Sequence, residues 1–168
     1  FIRDMWDYVI KTIDKNATNW KPNFGNQEEK DRVLNLIRSD DFLLYLALAQ
    51  VLKSIEICKD EKMIFKQDEL DKFSLIVLGK FPAPFYLYRE ILERIVLNGV
   101  NFENVKNKRE NWWWDMQILF CIGSEKVNGR DVYLVTTDKD MINAAEKAGY
   151  RDKIKNLQEY LSVLNEEA

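Results

Sequence analysis

After Asp4 the apolar residues Trp6, Val9, Ile10 and Ile13 recur at helical spacing, which predicts an amphipathic helix from Trp6 to about Lys15. Asp4 then stands either at the end of a first strand or as the helix N-cap. A polar stretch from Asn16 to Asn26, with Pro22 and Gly25 as turn formers, leads to a second helix marked by Val33, Leu34, Leu36 and Ile37 that ends near Ser39. From Phe42 to Ile57 the apolar density is too high for a surface helix, and Leu and Ala outnumber β-branched residues. That segment reads as mainly helical and buried, with room for a short strand at Phe42 to Leu46.

The charged segment Lys59 to Lys72 covers the surface, with a helix near Glu69. Leu75-Ile76-Val77-Leu78, bounded by Gly79 and Pro82, reads as a short buried strand or the end of a helix. Pro84 opens a helix whose face continues through Leu87, Ile91, Ile95 and Val96 to Gly99. After a charged connection, Asn101 to Asn111, the pattern from Trp112 to Ile122 is helical again and closes at Gly123. Val132-Tyr133-Leu134-Val135, which follows the turn Asn128-Gly129, has the strongest strand character in the chain. A helix over Ile142 to Ala148 should end on Gly149, and Asn156 with Glu159 forms a capping box for a last helix, Leu157 to Leu164. Three or four short strands among many helices predict one α/β domain over residues 1–168, with a small, mainly parallel sheet flanked by helices.

Composition narrows the chemistry more than the fold. Apolar residues make up 46% and charged residues 32%, enough for a real core, and 25 basic residues against 28 acidic ones give a net charge of −3. Such a chain does not hold a polyanion by bulk charge, so nucleic acid would be met through a local basic patch or bridging cations. There is no His. Ser-His and Cys-His nucleophiles and His-based zinc sites are thereby excluded, which leaves carboxylates, Lys, Tyr or Cys. Cys58 and Cys121 match no ligand spacing and read as free thiols, a pattern that suits a reducing cytoplasm. The longest apolar run extends only from Phe42 to Leu52 and contains Gln50, whereas a spanning helix needs about 20 apolar residues. The chain opens on Phe1 and not on Met, which reads as a trimmed start that has removed part of a first strand.

Carboxylates at strand ends are therefore the candidate chemistry. Asp138 and Asp140 follow the best strand and precede a helix, where they could hold a hard divalent cation or simply cap the helix. Asp115, at the expected start of the helix that leads into that strand, is open to the same two readings. Lys139 and the cluster Lys106-Lys108-Arg109 are candidate phosphate contacts or solvated charge. In Trp112-Trp113-Trp114 the three rings cannot share one helix face, so at least one should be exposed, free to stack on an unpaired base or to meet a protein.

The stretch from Asp115-Met116-Gln117-Ile118-Leu119 through Leu134-Val135-Thr136-Thr137-Asp138-Lys139-Asp140-Met141 to Glu159-Tyr160-Leu161 resembles the C-terminal half of the PIN-domain family of metal-dependent nucleases. In that family an acid opens a helix and a hydrophobic-hydrophobic-Thr-x-Asp-x-Asp junction follows the next strand. Met141 departs from the Phe common in the family. The resemblance implies a Mg²⁺- or Mn²⁺-dependent ribonuclease acting on single-stranded RNA, with Asp4, Asp115 and Asp138 holding metal, Asp140 beside them in the metal set, and Thr136 supporting the site. It also implies a mid-chain acid, for which Glu90 is preferred over Glu56 and Glu93 because the proline-started helix can aim it at a strand end. If no mid-chain acid reaches the site, a catalytically inactive module that binds RNA or a protein is the alternative. If all the acids are helix caps, the chain is an unrelated α/β domain. An inhibitor or other protein partner and a homo-oligomer are compatible with each.

Overall fold

A computed structural model describes residues 11, 14–15, 24–58, 65–98 and 106–166, with the side chains of 106–110 and 166 excluded. Asp4, most of the expected first helix and the Lys106-Lys108-Arg109 side chains lie outside that description. Along the chain come α1 (Gln27–Arg38), α2 (Asp40–Cys58), α3 (Gln67–Lys80), α4 (Ala83–Asn98), α5 (Lys106–Leu119), β1 (Leu134–Val135), α6 (Lys139–Lys147), a 3-10 turn (Arg151–Lys153), β2 (Ile154–Lys155) and α7 (Leu157–Glu166).

The expected α/β architecture, a PIN-like parallel sheet flanked by helices, is overturned. Among the described residues the protein is mostly helical, and β1 and β2 form a parallel sheet of only two strands, with Leu134 opposite Ile154 and Val135 opposite Lys155. The run Leu75 to Leu78 is not a strand. Glu69 accepts the Lys66 backbone N–H at 2.8 Å and anchors the first turn of α3, and the helix continues through the run until Pro82 follows it. A four-residue apolar run cannot by itself distinguish a strand from a helix turn, and here Leu75 and Ile76 are exposed. Phe42 to Leu46 is helical as well, within α2. The strand expected over Val132 to Val135 contracts to Leu134–Val135.

Pro84 sits in the first turn of α4, where a missing N–H has little cost. This helix is apolar on several sides and runs through the middle of the core. Leu87, Ile91, Leu92 and Ile95 are fully buried between α1 (Leu34, Ile37), α5 (Met116, Leu119) and α6 (Met141, Ala144, Ala145), with Ile154 of β2 completing the cluster. A second cluster joins α2 to α4 through Leu43, Leu46, Ala47 and Phe85, and the Phe85 ring meets Phe120 edge-on at 5.7 Å. Gly123, where the turn after α5 docks against the end of α3, lies so close that a Cβ would stand 2.5 Å from the Lys80 carbonyl oxygen. As expected, Gly149 closes α6 with a φ of +81°, and Asn156 and Glu159 exchange capping hydrogen bonds at the start of α7.

Candidate acidic site

The junction between β1 and α6 is built from short polar side chains, each with a defined bond. The Thr136 N–H donates to the Lys155 carbonyl at 2.9 Å and ends the strand ladder. The Thr136 hydroxyl oxygen accepts the Asp138 N–H at 3.1 Å. Asp138 is the N-cap of α6, its Oδ1 accepting the N–H groups of Asp140 at 2.9 Å and Met141 at 3.1 Å. Oδ2 takes no part in those bonds, and the residue is exposed. The capping function considered for this Asp is thus present, and it leaves one oxygen for other partners.

From there α6 lies against α4. The fully buried Ala144 and Ala145 let the two backbones approach Ile91, Leu92 and Ile95 closely. Two ion pairs bracket the contact. Arg94 donates from Nη1 to Asp140 Oδ2 at 2.8 Å and from Nη2 to Oδ1 at 3.0 Å, while Lys147 Nζ stands 2.6 Å from Glu90 Oε1. The earlier residue of each helix pairs with the later one of the other, so α4 and α6 run antiparallel. Arg94 holds the Asp140 carboxyl below the usual carboxylate range, chiefly through the hydrogen bonds, and its own pKa is raised by Asp140, with smaller contributions from Glu90 and Asp138. The field of these acids converges on one guanidinium.

Asp115 approaches the same place from α5. It does not open that helix as expected, because α5 begins at Lys106 and Asp115 lies well inside it, beyond the reach of the N-terminal dipole. Its carboxyl is instead pushed up, first by burial and then by the negative charges of Asp138 and Asp140. Among the described residues it takes part in no ion pair. Next to it Trp114 is 58% exposed, whereas Trp112 and Trp113 pack against the core.

The structure therefore brings Asp115, Asp138 and Asp140 toward one end of the α4–α6 contact, with Glu90 at the Lys147 end, and not as a ring of four free carboxylates. Asp140, expected in the metal set, is bound by Arg94, and Glu90, the preferred mid-chain acid, is bound by Lys147 with its side chain 13% exposed. Glu93 pairs with Arg38 of α1, and Glu56 pairs with Lys53 on its own helix. Among the described residues no group of three or more His, Cys, Asp or Glu gathers at metal-ligand distance. Mg²⁺ does not require one, since it keeps several waters and is commonly held by one or two carboxylates plus substrate phosphates, and Asp115 with Asp138 supplies hard oxygen donors of that kind.

Sequence reasoning missed that Arg94 belongs to this site. Arg94 stands beside Glu93 and four residues after Glu90, and nothing in the local pattern connects it to Asp140, 46 positions away. Elsewhere, a cleft of about 440 Å³ between α2, α3 and α5 carries only Gln50, Ser54 and Gln117 as polar lining residues, so the acid chemistry lies outside it. No helix of the described residues is long and apolar enough to cross a membrane. No family model matches the chain, and no curated protein or solved structure matches it.

Proposed function

We propose that this chain is a Mg²⁺- or Mn²⁺-dependent ribonuclease that cleaves single-stranded RNA, with Asp115 and Asp138 as its cation-binding carboxylates. One observation carries the proposal: at the β1–α6 junction Asp138 spends only Oδ1 on capping, and Asp115, whose ionisation burial and the charges of Asp138 and Asp140 oppose, has no ion-pair partner among the described residues. A hard dication there would relieve that repulsion. When bound, such an ion lowers the pKa of a coordinated water and steadies the scissile phosphate, chemistry that needs no His. Asp138 would offer Oδ2 while the backbone N–H groups of α6 fix its Oδ1. The exposed Trp114 ring, beside Asp115, would receive an unpaired base. The choice of RNA over other phosphodiesters rests on the resemblance of the β1–α6 junction, and the choice of a reducing compartment on the free cysteines, Cys58 and Cys121.

The test is a Mn²⁺ titration of the full chain by calorimetry, together with cleavage of a fluorescent single-stranded RNA in Mn²⁺. Saturable binding and cleavage, both lost in Asp115→Asn and Asp138→Asn, is the expected result. Wild-type protein that neither binds Mn²⁺ nor cleaves would end the proposal. A second reading is favoured by the pairing of Asp140 with Arg94 and of Glu90 with Lys147, which neutralises two of the four candidate acids. On it the chain is an inactive module that binds RNA or a protein, and retention of RNA without cleavage would select it.

A further inference from the structure

Arg94 connects two halves of the candidate site that the chain separates widely. Its planar fork occupies both oxygens of Asp140, at 2.8 and 3.0 Å, and both helices contribute rigid backbone on either side of the pair. The Asp140 N–H in turn donates to Asp138 Oδ1, so the residue gripped by Arg94 is also one of the two that orient Asp138. A bidentate guanidinium–carboxylate pair fixes direction as well as distance, which a lysine in the same place would not do. With Arg94 counted, Asp115, Asp138 and Asp140 present two net negative charges, matching one dication, where three unopposed aspartates would present three.

We propose that Arg94 is a positioning residue of the acidic site: it keeps Asp140 out of the cation-binding set and anchors to α4 the first turn of α6, on which Asp138 is mounted. The cation part of this inference rests on the nuclease reading above. The anchoring part does not.

The test is a double-mutant cycle on the full chain, with Mn²⁺ alone as the probe, measured by calorimetry. Arg94→Gln should tighten Mn²⁺ binding and Asp140→Asn should weaken it, each by about three- to tenfold at low salt, the scale of one unit charge acting on a dication in half-solvated surroundings. The double variant should return to within about twofold of wild type, because the pair is removed as a balanced unit. A double variant as weak as Asp140→Asn would make Asp140 a ligand and overturn the proposal, as would an Arg94→Gln variant that binds no more tightly than wild type. Arg94→Lys keeps the charge and loses the fork, so it should bind Mn²⁺ like wild type while cleaving RNA more slowly. In metal-free protein the Asp140 and Met141 amides should exchange hydrogen faster in Arg94→Lys and Arg94→Gln than in wild type, with the amides of Ile91 and Leu92 unchanged. Unchanged exchange at Asp140 and Met141 overturns the anchoring. If none of the four proteins of the cycle binds Mn²⁺, the nuclease reading and the cation part fail together, and the exchange measurement still decides the anchoring.

Discussion

Asp138 holds the first turn of α6 and is also a proposed cation ligand, and two substitutions separate those functions. Asp138→Ala removes the acceptor of two backbone hydrogen bonds, to the Asp140 and Met141 N–H groups. Loss of an N-cap side chain costs about 1 kcal/mol, with a range of about 0.5 to 2. Loss of a negative charge at a helix N-terminus adds about 0.3 to 1 kcal/mol at low salt, an effect kept small here by the exposure of Asp138. Removing the charge also relieves Asp115, which works in the opposite direction. The net expectation is a loss of about 1 kcal/mol, or about 2 to 4 °C in Tm for a domain of this size. Asp138→Asn retains an acceptor oxygen that caps about as well, so it should melt within about 1 °C of wild type. Both variants lack the charge needed by the cation and should lose Mn²⁺-dependent RNA cleavage alike. Melting curves in metal-free buffer and cleavage in Mn²⁺ are read on the same preparations. If Asp138→Asn melts as low as Asp138→Ala, the capping account is wrong, and if Asp138→Asn still cleaves, Asp138 is not part of the site.

Asp115→Asn should make the metal-free protein more stable at neutral pH by a few tenths of a kcal/mol, since the half-exposed carboxyl is screened by solvent. Because the folded pKa of Asp115 is raised, its ionisation opposes folding above that pKa, and the advantage of the variant should fade as pH falls toward the unfolded value of about 3.9. Urea titrations at several pH values would show this, and a variant less stable than wild type at pH 7 would contradict the assigned repulsion. Trp114→Ala should change stability by less than about 0.5 kcal/mol yet weaken single-stranded RNA binding by about 1 to 3 kcal/mol, as read by fluorescence anisotropy in Ca²⁺. Gly123→Ala forces a Cβ against the Lys80 carbonyl and the Phe81 ring, so it should cost about 1 to 3 kcal/mol in urea unfolding, and a neutral result would mean that this turn yields easily.

The helices were legible where periodicity and end signals agreed. The helix opened by Pro84, the Gly149 stop and the Asn156–Glu159 capping box all stand where their local chemistry predicts, because each depends on residues within a few positions. The sheet was not legible in the same way. Leu75 to Leu78 has the composition of a strand, but Glu69 nucleates a helix upstream and nothing interrupts it before Pro82. At the other end, the two-residue pairing of Ile154–Lys155 with β1 is a contact between distant segments, and its only local trace is one buried Ile between charged residues.

The site shows the same division between local and distant determinants. Thr136, Asp138 and Asp140 could be read as one junction because strand end, cap and first helical turn are consecutive, and the hydrogen bonds follow that order. Asp115 was singled out for a helix-start position that it does not occupy. Its place near the site comes instead from the packing of Met116 and Leu119 in the same core cluster as α4 and α6, which brings α5 within range of the charges of Asp138 and Asp140. Charge balance could not be read from spacing at all. Whether Asp140 is a free ligand or a bound one depends on Arg94, and that contact joins two helices whose packing face on α6 includes the fully buried Ala144 and Ala145. Packing between helices far apart in sequence, and not the spacing of the acids, thus pairs Asp140 with a guanidinium and leaves Asp115 without an ion pair among the described residues.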